Sequence, residues 1–144
     1  MAVPKSAKSK EGKPMHYSVG ALIKKDGKFL LIDRAVPPLG FAGVAGHIDK
    51  GEEAVEALKR EVEEESGLKI ESSKLLFEEE LDWNWCSKGI KVHHWYLFEC
   101  EASGELRRNV RETKAIGWYS PEEIKSLKLE PVWEYWFKKL GILG

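Results

Sequence analysis

The stretch GHIDKGEEAVEALKREVEEESGL, Gly46 to Leu68, decides how this chain is read. From Glu52 to Ser66 it carries the strongest helix signal in the sequence. Acids open it, where the positive end of the helix dipole favours them, and Gly67 stands where a left-handed cap is expected. On a wheel of about 100° per residue, Glu65 falls about 10° and Glu61 about 50° from the mean direction of Ala54, Val55, Ala57, Leu58 and Val62, with Glu64 about 110° away on the flank. Glu61 and Glu65 therefore point with the core residues, while Glu53, Glu56, Lys59, Arg60 and Glu63 take the far side. Like charges spaced three and four apart repel, and an unpaired buried carboxylate either costs several kcal/mol or titrates to neutral. Lys59 lies across the helix and Arg60 reaches only an edge, so protein cations are too few nearby. A bound divalent cation resolves the conflict, and oxygen donors at this density suit Mg2+ or Mn2+.

Working outward, Tyr17 to Lys24 and Lys28 to Ala35 alternate and are rich in β-formers, with Asp26-Gly27 supplying a hairpin turn. Gly40 to Gly51 is studded with small residues, which marks strand and loop backbone packed close to a neighbour. Downstream, Leu75 to Trp85 and Lys91 to Glu101 read as two longer strands, followed by a turn near Ser103-Gly104 and a short strand at Ile116 to Tyr119. Ser120 and Glu123 make a capping box with Pro121 at the first helical position, and a last helix runs from Pro131 to Leu140. Strands, helix, strands and helices in that order predict an α+β domain, built as a three-layer α/β/α sandwich with a mixed sheet. No glycine-rich Rossmann or P-loop pattern follows a strand, so cofactors held by those loops are not indicated.

The 144 residues carry 23 Lys+Arg against 24 Asp+Glu, a net charge of −1, and 42% are hydrophobic. This composition excludes a disordered chain and the broad basic face of a protein that grips nucleic acid by its phosphates. The average conceals a cluster, since from Asp49 to Asp82 there are 13 acids against 5 bases. No run approaches the roughly 20 apolar residues of a spanning helix, and Met1 to Pro14 holds lysines without the apolar stretch of a signal peptide. Residues 1–14 are expected as a flexible lysine-bearing arm, residues 15–144 as a single domain, and the location as cytoplasmic. Cys86 and Cys100 are too few for a disulfide-built fold and lack the paired ligand spacing of a zinc site. Ordinary thiols in a reducing compartment are expected.

Gly46, five residues, Glu52, seven residues, then Arg60-Glu61-Val62-Glu63-Glu64-Glu65-Ser66-Gly67-Leu68: over these 23 residues the chain resembles the Nudix box at every specified position. The order of strands around the box is similar to the family's as well. The resemblance implies a Nudix-like α/β/α sandwich and a hydrolase that uses Mg2+, or Mn2+ in its place, to cleave a phosphoanhydride in a nucleoside diphosphate linked to another moiety. It further implies that Glu61, Glu64 and Glu65 bind metal together with the Gly46 carbonyl, and that Glu52 joins through water. Arg60 would orient a catalytic glutamate, and Gly46 and Gly67 would serve backbone geometry. The general base would be a box glutamate, Glu64 or Glu61, or else a carboxylate from a later loop, a position that Glu112 resembles.

Outside the box the sequence says less about substrate. Where the family often carries Pro-Gly-Gly, this chain has Val44-Ala45-Gly46-His47, and the Gly-His pair is similar to members related to isopentenyl diphosphate isomerase. Isomerase-like chemistry on a prenyl diphosphate is therefore one alternative. A non-catalytic module that binds nucleotide or RNA is another, although such modules usually have eroded glutamates and all are present here. Subgroups acting on ADP-ribose or dinucleoside polyphosphates tend to show Pro or Tyr where this chain has Trp83, Asn84, Trp85 and Cys86. Trp83 and Trp85 share a strand face with Leu81 and read as core, the alternative being that one stacks on a nucleobase, worth about 1–3 kcal/mol. Arg34, ending the second strand, either holds a terminal phosphate or makes a surface ion pair. His93 and His94 are no metal pair, because neighbours on a strand point to opposite faces, and His47 reads as structural before catalytic. The expected partner is a small nucleotide; an RNA 5′ end is the one nucleic acid kept open, no membrane is involved, and a homodimer is left open.

Overall fold

In a computed structural model that describes residues 3–86 and 88–143, the chain runs β1 (Ser6–Lys8), β2 (Pro14–Lys25), β3 (Lys28–Arg34), β4 (Gly40–Ala42), β5 (Val44–His47), α1 (Ala54–Ser66), β6 (Lys69–Leu81), β7 (Val92–Ser103), β8 (Thr113–Tyr119), α2 (Pro121–Ile124) and α3 (Pro131–Lys139). Asp26 and Gly27 turn the β2–β3 hairpin with φ of 51° and 76°, the pair of positive angles whose twist matches the flanking strands. Only Lys24↔Phe29 and Lys25↔Lys28 pair across it. Beyond them the strands part: β3 pairs with β4 and β8, while β2 lies parallel to β7 from Met15↔Val92 to Ile23↔Cys100. The other edge of β2 takes β1 and then β5, both antiparallel, and β6 closes the far side of β7. The sheet is mixed, and β2 is its branch point.

Alternation along β2 sorts two cores. Val19, Ala21 and Ile23 pack with Ala57, Leu58 and Val62 of α1, while Leu22 joins Leu31, Trp95, Leu97 and the Val132, Trp133, Trp136 and Phe137 set of α3. Successive strand residues point to opposite faces, so one helix covers each side and the expected α/β/α layering is what forms. Gly20 lies under Trp133, where a Cβ would come within 3.1–3.2 Å of Leu97, Trp133 and Trp95. α1 starts two residues later than the pattern suggests, because Glu53 is its N-cap in a capping box with Glu56, and Gly67 ends it at φ 77°. Val55, counted with the apolar stripe, is exposed. The capping box expected at Ser120 and Glu123 is present.

Two expectations fail here. β6 begins directly after Leu68 and stops at Leu81, so Trp83 and Trp85 are not on a strand; they sit in the loop that follows, 42% and 54% exposed. The tryptophan that fills this end of the core is Trp95, whose Nε1 donates to the buried Asn84 Oδ1 at 2.9 Å. The segment expected as a loose arm instead folds back on the sheet: Ser6 to Lys8 pair with Pro14 to His16, and Lys5 N–H donates to the Ile48 carbonyl at 2.7 Å. Among the described residues no helix is long and apolar enough to cross a membrane.

Candidate active site

A cavity of about 400 Å³ opens where the end of β5, the inner face of α1 and the loop before β8 meet. The box gathers there through Gly46, which has no side chain for a reason of space: a Cβ would lie 2.1 Å from Glu61 Cδ. Glu61 and Glu65, one helical turn apart on α1, both line the cavity, as their position on the helix predicts. Glu112 reaches the same wall from the loop before β8. That loop is fastened where Ala35 N–H donates to the Glu112 carbonyl at 2.8 Å.

Arg60 reaches much more than an edge. Its Nε and Nη2 grip Glu52 at 2.8 and 2.9 Å, and Nη2 also meets Asp49 Oδ2 at 3.1 Å and the His47 carbonyl at 3.0 Å. Nη1 donates to Glu61 Oε1 at 2.8 Å and to Glu64 Oε2 at 3.3 Å. One guanidinium thus spans four carboxylates, and a bidentate fork with charge-assisted bonds is the geometry arginine provides. Hydrogen bonding to Arg60 holds Glu52 below the ordinary carboxylate range. Glu52 is committed to Arg60 and the Asp49 amide and does not line the cavity; Glu64, more than half exposed, does not line it either.

Arg60 still leaves the inner carboxylates short of positive charge. Burial, opposed by Arg60, pushes Glu61 up to about 7. Glu65 is 4% exposed and is pushed up to about 9 by burial first and then by the adjoining Glu112 carboxyl. Among the described residues its Oε2 has no hydrogen-bond partner. A crowded set of oxygen donors with an orphaned buried oxygen, and a glycine that leaves room beside Glu61, fits a hard divalent cation such as Mg2+ or Mn2+.

Close enough to this cluster to act on Glu65, Arg34 lines the cavity with its Nε donating to the Val36 and Pro38 carbonyls at 3.2 and 2.8 Å, and makes no surface ion pair among the described residues. Trp85 lines the cavity too. Trp83 does not: it packs edge-on against Tyr135, ring centroids 5.4 Å apart. The structure also assembles groups that spacing does not join. Glu130, the N-cap of α3, is buried on the cavity wall and pushed up to about 7. His47 and His93 are lowered to about 4, chiefly by burial, and with His16 they surround Cys86. Cys86 therefore has the ligand neighbours that its spacing in the chain denies it. His94 points the other way, as expected, and bonds Glu78 at 2.8 Å.

The NUDIX domain family description matches residues 14–140 of this chain. Nucleoside triphosphatase NudI of Escherichia coli O139:H28 is 33% identical to it over 114 residues, which is 72% of this chain and 80% of that protein. The mitochondrial NAD(P)H pyrophosphatase NUDT13 of Homo sapiens is 29% identical over 118 residues, 77% of this chain, which spans only 31% of the length of that relative. Among solved structures, the MutT NUDIX hydrolase of Burkholderia pseudomallei superposes with a TM-score of 0.63 at 29% identity, covering 76% of this chain and 85% of that one.

Proposed function

The chain belongs to the NUDIX family of hydrolases, and from that premise we propose that it is a cytoplasmic, Mg2+-dependent pyrophosphohydrolase that cleaves a phosphoanhydride bond of a nucleoside diphosphate derivative by attack of water. The observation that carries this reading is the convergence of Glu61, Glu65 and Glu112 on one cavity wall, with Gly46 pressed against Glu61. Glu61, Glu65 and the Gly46 carbonyl would hold the cation, with Glu64 at the margin. When bound, it supplies positive charge to the phosphate oxygens and makes a water acidic enough to attack near neutral pH.

Every other part of the work falls to side chains of the chain. Glu112, fastened at its backbone and free of Arg60, accepts the proton of the attacking water at its carboxylate; Glu61 and Glu64, both tied to Arg60, are less suited to that role. Arg60 is a positioning residue, holding Glu61 against Gly46. Arg34 binds a phosphate of the substrate, and Trp85 stacks on the base, with Trp83 left outside. Little covalent chemistry is asked of the protein, because orientation and charge compensation carry phosphoryl transfer.

The names of the relatives put nucleoside triphosphates and NAD(P)H first in a substrate panel, followed by oxidised dNTPs, ADP-ribose, dinucleotides, capped RNA and isopentenyl diphosphate. With Mg2+, a nucleotide should be turned over, and Glu65→Gln should lower kcat/KM by about 100-fold or more. If every active compound is hydrolysed as well by Glu64→Gln and Glu65→Gln as by the parent chain, the proposal is wrong.

A further inference from the structure

Beside the cavity, and sharing His47, Cys86 and His93 with its lining, lies a second donor set of different chemistry from the glutamates. His16 on β2, His47 at the end of β5, His93 on β7 and Cys86 in the β6–β7 loop each offer one ligand atom, and these four atoms all lie within 4.8 Å of one another. The sheet brings them together. Parallel pairing sets His16 directly beside His93, and the β2–β5 register places His47 opposite Ser18, two residues along the same strand. Ring centroids are 5.0 Å apart for His16 and His47, 5.6 Å for His47 and His93, and 6.0 Å for His16 and His93.

Buried polar atoms in folded proteins are nearly always hydrogen-bonded. Here His93 is 2% exposed, and among the described residues neither of its ring nitrogens makes a well-formed hydrogen bond, with the Asn84 backbone lying close by; His16 Nδ1 is buried and unpartnered among them as well. Two imidazole rings with orphaned nitrogens, each able to offer one of them to an ion, beside the His47 ring and a free thiol have the composition of a ligand set lacking its ion. We propose that His16, His47, Cys86 and His93 form a second metal centre, a tetrahedral three-histidine, one-cysteine site for a borderline-soft cation of the Zn2+ class, separate from the carboxylate site.

Donor chemistry separates the two sites. Imidazole and thiolate select zinc-like ions, whereas carboxylates and carbonyl oxygen select magnesium and manganese. Tetrahedral zinc with bonds of about 2.0–2.3 Å brings its ligand atoms to about 3.3–3.7 Å of one another. From a separation of at most 4.8 Å, the ligand atoms would have to draw in by about 1 Å to reach that spacing. Cys86 binds as thiolate and releases its proton to solvent, which supplies negative charge against Lys88 on the same wall. With four protein ligands no open position remains, so the centre is structural. It ties the loop that carries Trp85 to β2, β5 and β7 and fixes that wall of the cavity.

The test is optical and independent of hydrolysis. The full chain, stripped with chelator and held in excess Mg2+, is titrated with Co2+. One equivalent should produce the intense visible bands of tetrahedral cobalt and a thiolate-to-cobalt charge-transfer band in the near ultraviolet, and one equivalent of Zn2+ should bleach both. Cys86→Ser, at a partly exposed position, should lose the charge-transfer band; His93→Gln should lose tetrahedral binding; Glu65→Gln should keep the whole spectrum. Zn2+ should also raise the melting temperature of the parent chain more than that of Cys86→Ser. If His93→Gln fails to fold, the Cys86→Ser spectrum decides alone. The absence of a thiolate band, or weak octahedral bands abolished by Glu65→Gln, would overturn the site while leaving the proposed hydrolysis untouched.

Discussion

A methyl group added at Gly46 would strike Glu61 Cδ at 2.1 Å, but what it strikes is the far end of a side chain that can swing away. Gly46→Ala should therefore fold with a melting temperature within a few degrees of the parent, yet lose about 100-fold in kcat/KM, the scale of a misplacement of about 1 Å at a reacting centre. A matching loss of stability would mean that the glycine serves the backbone instead. Glu130 gives a prediction of the opposite kind. Its carboxyl titrates near 7 in the fold against an ordinary value of 4.5, so between those values the folded chain keeps a proton that the unfolded chain has released. Stability falls as pH rises through that window and levels off above it, about 3 kcal/mol lower on this account. Urea melts of the ligand-free protein should find Glu130→Gln equal to the parent near pH 4.5 and more stable by up to that amount at pH 8. At this scale, what the sequence makes readable depends on distance along the chain. Glu61 and Glu65 lie on one helix, so their inward direction follows from its period; Cys86 and the three histidines come from separate segments and meet only through strand pairing.

At the scale of elements, the existence of α1 is legible in the sequence and its first turn is not. The helix, its acidic face and its left-handed stop are local properties, and they appear as read. Its start moves because Glu53 and Glu56 cap one another and Glu52 is drawn off to Arg60, contacts that depend on where Arg60 folds. Gly67→Ala should cost about 1 kcal/mol in chemical denaturation, since φ of 77° is strained for any residue with a Cβ. The added Cβ would also meet Arg107 Cβ at 3.1 Å. β6 departs from its expected bounds for a different reason. Exposed along much of its length and interrupted twice by shifts in register with β7, it lacks the clean alternation that marks a half-buried strand. The dense aromatics of the loop after it looked more like a strand than the strand did.

Over the whole molecule, two helices press on opposite faces of one branched sheet, and the α3 side rests on tryptophan. Trp133 and Trp136 are fully buried, and Gly20 and Gly43 have no side chains where Trp133 lies, a Cβ on Gly43 falling 2.5 Å from its ring. Trp133→Ala should lower unfolding stability by about 3–5 kcal/mol, read as a shift in the urea midpoint with unchanged slope. Such layering was legible from the order of elements, but the branching at β2 was not, because nothing local tells a strand how many neighbours it will have. That branching also has a price in time during synthesis. His16 and its partner His93 are 77 residues apart, and at 5–20 residues per second a ribosome needs about 4–15 s to make them. For those seconds Val19, Ala21 and Ile23 sit on a strand with one edge open to any other nascent chain, the arrangement that invites intermolecular pairing. Soluble yield from a producing cell will thus depend on how that emerging edge is shielded, a burden that the finished fold no longer carries.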